Sequence, residues 1–99
     1  MTFTCKALWT ALPGSAESVL DSLEKLATAS RLEPGNRTYE FCRLDDSFQI
    51  YETYESAAAF EAHLTSPHFH RYAVQEALPL LAKRSRSTQD TNDGQESLS

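Results

Sequence analysis

Residues 48–72 read FQIYETYESAAAFEAHLTSPHFHRY, and their periodicity switches from that of a strand to that of a helix, then restarts. Phe48, Ile50, Glu52 and Tyr54 alternate with Gln49, Tyr51, Thr53 and Glu55, as the two faces of a β-strand do. Ser56 suits the N-cap of a short helix, Ala57 to Leu64, in which Phe60, His63 and Leu64 share a face. Ser66-Pro67 is a second start signal, a capping residue followed by proline in the first turn. The helix it opens is predicted to run to about Lys83, with Phe69, Tyr72, Ala73, Glu76, Leu80 and Leu81 near one face. Pro79 must weaken or kink it by removing a helical hydrogen bond.

Upstream, Phe3 to Leu12 reads as a strand with apolar residues on both faces, broken by Pro13-Gly14. Ser15 is the expected cap of a core-packing helix carrying Val19, Leu20, Leu23, Leu26 and Ala27 at helical spacing. That helix must stop by Glu33, because Pro34 disfavours helical geometry in the residue before it. Asn36 to Leu44 and Ser47 to Glu55 are strands separated by Asp45-Asp46, the pattern of an antiparallel hairpin. Residues 1–83 therefore form one domain. Residues 84–99, RSRSTQDTNDGQESLS, are predicted to be a polar tail that is either disordered or holds a short edge strand around Arg84 to Asp90.

Strand, helix, two strands and a helix pair bury their apolar faces in an α+β, ferredoxin-like antiparallel sheet with the helices on one side. The third strand then lies between the first and second, which puts Cys5 and Cys42 roughly 10 Å apart, two strand spacings. That is too far for a disulfide, so both are expected to be small, reduced, buried residues. The other sheet face is expected to carry Leu8, Tyr39, Phe41 and Tyr51. It is too apolar for water, which predicts sheet-to-sheet pairing with a second copy.

The net charge of −5 across 99 residues argues against a nucleic-acid partner, whose phosphates favour basic patches. No apolar run is long enough for a membrane helix, and the N-terminal stretch lacks the basic start and apolar core of a signal peptide. The expected compartment is the cytoplasm.

Three segments carry a resemblance: EPGNRTYEF at 33–41, IYETYES at 50–56 and AFEAHLTSPHFHRY at 59–72. Together they resemble the small antibiotic biosynthesis monooxygenases, including the quinol monooxygenase type. The resemblance implies a dimeric α+β barrel of ferredoxin-like subunits. It also implies oxidation of a small quinol or phenolic substrate by molecular oxygen, with no flavin, haem or metal as cofactor. Other branches isomerise a phosphorylated signalling-sugar derivative or degrade haem. Tyr54 stands where the family often has tryptophan, and Ile50 where polyketide-oxidising relatives have asparagine. Ala73 occupies the place of the haem-degrading branch's axial histidine, so haem chemistry is not expected. The usual apolar last strand is replaced by the polar segment after Lys83.

Cofactor-free oxygenation requires a base that deprotonates the substrate and a dry place for the resulting anion. A histidine serves both needs near neutral pH. His63, inward-facing beside Phe60 and Leu64, is the expected catalytic base, its bland alternative being a histidine satisfied at a helix junction. Glu52 is a second base, a partner that orients His63, or half of a structural ion pair. Tyr54 donates to a substrate oxygen or fills the core. His68, in the first turn of the last helix, Asn36 after its turn, and Ile50, Phe60, Phe69 and Tyr72 are expected around the substrate. His63 and His68 lie five apart across a helix break, so no metal site is expected. An acid–base isomerase and a non-catalytic ligand-binding dimer are the rival functions.

Overall fold

The computed structural model describes residues 1–91. Its elements run β1 (Thr2–Ala11), α1 (Ala16–Ser30), β2 (Asn36–Leu44), β3 (Ser47–Tyr54), α2 (Ala57–Leu64), α3 (Phe69–Ala77), a 3-10 turn (Leu78–Leu80) and β4 (Leu81–Thr91). The four strands form one antiparallel sheet in the order β2-β3-β1-β4. All helical elements lie on one face of it, giving the expected α+β, ferredoxin-like subunit.

The hairpin turn sets the register of the whole sheet. Asp45 adopts φ +56°, a left-handed conformation that aspartate tolerates, and Leu44 pairs with Ser47. Residues opposite one another share a face, so Phe41 follows Ile50 and Tyr39 follows Glu52 onto the helix-covered side. Tyr39 is buried at 2% exposure and Phe41 packs on the main core. This corrects the placement of both residues on the open face. Leu8 and Tyr51 are exposed there as expected, together with Cys42. Cys5 is buried and Cys42 is not, so only the first is the small core residue expected of both.

The main core joins Val19, Leu23 and Leu26 of α1 to Trp9, Tyr39, Phe48 and Ile50 of the sheet. Each such aliphatic side chain, fully buried, contributes roughly 1.5–3 kcal/mol. A second cluster, Cys5, Tyr54 and Phe60, lies under α2. Ser56 caps α2 by accepting from Ala59 N at 3.1 Å. Ser15, expected to cap α1, makes no such side-chain bond.

The last helix ends earlier than expected. After Ser66, whose hydroxyl accepts from Phe69 N at 3.2 Å, α3 winds in the wide i→i+5 manner and turns Ala73 and Ala77 inward. Pro79 falls within the 3-10 turn, and by Leu81 the backbone is extended. The residues from Leu81 onward thus leave the helix and pair with β1 as an eleven-residue strand, longer than the short edge strand anticipated. Its hydrogen bonds go to the β1 backbone, which does not require apolar side chains. Residues 92–99 of the expected polar tail lie outside the described residues.

The Pro34-Gly35 turn is pinned by α2. Gly35 O accepts from Glu55 N at 2.9 Å, and a Cβ on Gly35 would meet the Ala59 Cβ at 2.4 Å. Gly35→Ala must therefore push α2 outward. It is expected to lower unfolding free energy by about 1–3 kcal/mol in urea titrations, the usual cost of overpacking; an unchanged midpoint would contradict this contact.

Candidate functional site

Four chain segments converge on His63. Helix α2 turns it inward beside Phe60, and the imidazole is 1% exposed. The turn after α1 supplies Glu33, β3 supplies Glu52 and Tyr54, and the junction between α2 and α3 supplies His68. Glu33 Oε2 lies 2.8 Å from His63 Nδ1 and 2.5 Å from His68 Nε2. On the opposite side of the ring, His63 Nε2 lies 3.5 Å from Glu52 Oε1. Tyr54 donates its hydroxyl to that same Glu52 oxygen at 2.7 Å. The groups form a chain, His68, Glu33, His63, Glu52, Tyr54, buried from His63 to Tyr54 and half-buried at His68 and Glu33.

Glu33 at Nδ1 is the closer of the two carboxylates, 2.8 Å against 3.5 Å for Glu52 at Nε2, with Ser30 Oγ also 3.5 Å from Nδ1. A carboxylate at Nδ1 accepts a proton from that nitrogen, which leaves Nε2 as the free base. Burial lowers the His63 pKa below the ordinary histidine value, partly opposed by Glu33, so the ring is neutral at pH 7. Burial also pushes Glu52 up to about 7, against the pull of the Tyr54 hydrogen bond and with help from the Glu33 charge. Tyr54 is driven above the ordinary tyrosine value by burial and by Glu52, and stays a hydrogen-bond donor. Cys5, opposite Glu52 on β1, is pushed up to about 12 by burial and is an unreactive thiol.

A cavity of about 400 Å³ opens against this chain. His63 and Glu52 reach it beside Trp9, Phe60 and Phe69, and Arg84 and Arg86 of β4 close its remaining side. A larger concavity of about 640 Å³ lies mostly across the open face of the sheet. Its ionisable residues, among them Lys6, Glu40 and Tyr51, are all exposed.

The residues expected at a site divide accordingly. His63, Glu52, Phe60 and Phe69 line the cavity, and Tyr54 stands behind Glu52. His68 joins the chain through Glu33 and does not line the cavity. Asn36 spends its amide on Thr38 O at 3.0 Å, at the irregular start of β2. Ile50 is a core residue, and Tyr72 packs on the core under the Arg71 guanidinium. Glu33 was missed because it reads as the last residue before a proline. Its signal was a carboxylate in the same EPGN segment that carried the resemblance.

Glu33, His63 and His68 each offer one donor atom, and the three lie within 4.8 Å of one another. Two histidines and a carboxylate are a known zinc set, so these residues could hold a divalent ion. Tetrahedral ligands at about 2 Å from zinc are roughly 3.3 Å apart. The carboxylate–imidazole separations of 2.8 and 2.5 Å are those of hydrogen bonds instead.

The fold and this site define a ferredoxin-like α+β subunit with an acid–base chain beside an aromatic cavity. The chain belongs to the antibiotic biosynthesis monooxygenase family, whose pattern matches residues 2–75. It is 32% identical over 74 residues to the uncharacterized protein sll1783 of Synechocystis sp., covering 72% of this chain and 50% of that relative. The chain thus spans about half the length of that relative. Among solved structures, PA3566 from Pseudomonas aeruginosa superposes with a TM-score of 0.80 at 29% identity, covering 92% of this chain and 94% of that one. Rv0793 from Mycobacterium tuberculosis gives a TM-score of 0.84 at 23% identity, covering 94% and 97%. No helix among the described residues is long and apolar enough to cross a membrane.

The raised Glu52 pKa has a consequence for stability. An acid with a higher pKa folded than unfolded stabilises the fold while protonated, and that stability is lost as pH rises from about 4.5 through about 7. At about 1.4 kcal/mol per pKa unit the loss is on the order of 3 kcal/mol. His63 contributes in the opposite sense, its stability being lost as pH falls below the unfolded histidine value. Glu52→Gln isolates the carboxyl: relative to this variant, the wild type is expected to lose unfolding free energy between pH 5 and pH 7. Parallel pH profiles would contradict the assignment.

Proposed function

We propose that this protein is a cofactor-independent monooxygenase that oxidises a small quinol or phenol with molecular oxygen. The observation that carries the proposal is the neutral, buried His63, held by Glu33 at Nδ1, with Nε2 3.5 Å from Glu52 Oε1 and both residues lining the cavity. In this reading His63 Nε2 takes the proton of the substrate hydroxyl, and the resulting imidazolium neutralises the phenolate in a water-poor cavity. The electron-rich anion supplies electrons to oxygen directly. For a phenol oxidised to a quinone, one oxygen atom enters the ring in place of two hydrogens, and the other leaves as water. Glu52, with a pKa near 7, exchanges protons with His63 or the product, and Tyr54 steadies it. Glu33 orients the base and does not touch substrate.

Pairing through the open sheet face belongs to the same proposal. Leu8 and Tyr51 are 41% and 44% exposed on that face, and a second copy would bury them. We place the protein in the cytoplasm, which its reduced cysteines fit.

A second reading, an acid–base isomerase, is favoured by one feature: His63 and Glu52 flank the same cavity and can pass one proton between two positions. Turnover without oxygen separates it from the oxygenase.

Oxygen uptake with a panel of hydroquinones and phenols tests the main reading. His63→Ala is expected to reduce kcat by about 10²–10⁴-fold, the usual contribution of a positioned base. An uptake rate in the variant equal to that of the wild type would sink the role assigned to His63.

A further inference from the structure

Backbone pairing to β1 tolerates the polar residues of β4 but does not call for them. We propose that Arg84 and Arg86 make the cavity specific for an aromatic ring carrying a carboxylate, the two guanidinium groups receiving the carboxylate. The proposal rests on the oxygenase reading for the ring and its hydroxyl, and adds the charge that the substrate must bear.

Register puts both arginines on the cavity side. Arg84 pairs with Trp9 and Arg86 with Ala7, so their side chains share the helix-covered face of the sheet with the cavity wall. The Arg86 guanidinium sits 5.5 Å from the centre of the Phe60 ring, which orients its fork beside the cavity's aromatic wall. Its charge also reaches the chain of titrating groups, favouring the ionised form of Glu52 and the neutral form of His63.

The partners of the other arginines sharpen the contrast. Arg31 donates to Tyr39 O, Arg37 to Thr2, Arg43 to Glu17, and Arg71 is paired with Glu76. Arg84 and Arg86 alone among the arginines have no hydrogen bond or ion pair within the described residues. In a chain of net charge −5, acids are in excess, yet among the described residues two guanidinium groups beside the cavity have no ion pair. The long-range field of such a chain repels an anion, so selection of one requires local donors. Arginine meets a carboxylate through two parallel N–H bonds, which fixes orientation as well as charge. Trp9, Phe60 and Phe69 supply the apolar surface for the ring, and about 400 Å³ suits a single ring with its substituents. With the carboxylate on β4, a ring hydroxyl is directed across the cavity toward His63.

Anaerobic calorimetric titration tests this with two ligands that differ only by the carboxylate, 2,5-dihydroxybenzoate and hydroquinone. The carboxylated ring is expected to bind at least about tenfold more tightly, as charge-assisted bonds allow. The margin should shrink as salt is raised. In the Arg84→Gln/Arg86→Gln double variant, with folding checked by thermal unfolding, the two ligands are expected to bind alike. Equal affinities in the wild type, no binding of the carboxylated ring, or an undiminished preference in the double variant would each overturn the proposal. Oxygen uptake is recorded separately. Arginine-dependent binding without uptake supports the carboxylate site while removing the oxygenase reading. Uptake on 2,5-dihydroxybenzoate that is indifferent to both arginines does the reverse.

Discussion

One carboxylate oxygen ties the site together. Glu33 Oε2 lies within hydrogen-bond reach of His63 Nδ1 and His68 Nε2, joining the turn after α1 to α2 and to the start of α3. A buried imidazole without a partner would cost free energy, so this contact settles the position of His63 as well as its tautomer. The contact also gives the local packing a purpose. Gly35 lets α2 lie close on the turn, and Arg31 grips Tyr39 O through two nitrogens at 2.9 and 2.6 Å, holding β2 against the end of α1. The chemistry thus sits on the junctions of rigid elements, which keeps its geometry fixed.

The cavity beside this chain combines two kinds of wall. The rings of Trp9, Phe60 and Phe69 give it apolar surface, beside which charge interactions are stronger than in bulk water. Glu52 and His63 are held by burial near the protonation states that acid–base work at neutral pH requires: a histidine that stays unprotonated, and a carboxyl that gives and takes a proton. The remaining wall is β4, whose backbone completes the sheet and whose cavity-side residues include two solvent-exposed arginines. A strand with so few apolar residues contributes little to the core, and its composition is better explained by what faces the cavity.

Much of the fold was legible in the sequence because it rests on periodicity and turns. The alternation through β3, the caps at Ser56 and Ser66, and the breaks at Pro13-Gly14 and Pro34-Gly35 each have a local cause. The two-residue turn at Asp45-Asp46 also puts Tyr39 opposite Glu52, so the hairpin register, not the apolar character of Tyr39 and Phe41, decides which face they take. The length of β4 was not legible, since backbone pairing to β1 decides it and its side chains carry no strand pattern. The site was half legible. His63, Glu52 and Phe60 announced themselves as polar and aromatic groups on inward faces. Glu33 and the two arginines did not, because a residue before a proline and a run of polar residues have ordinary local explanations. Only the folded chain brings them to the same ring and the same cavity.

The central claim is that His63 keeps Nε2 unprotonated, beside Glu52 and the cavity, because Glu33 holds the proton on Nδ1. Long-range ¹H–¹⁵N NMR of the histidine side chains measures this directly. The account predicts that at pH 7 His63 is the Nδ1–H tautomer, takes up its second proton only below the ordinary histidine value, and loses the tautomer preference in Glu33→Gln. An Nε2–H tautomer in the wild type, or a His63 that titrates as a solvent-exposed histidine does, would contradict it.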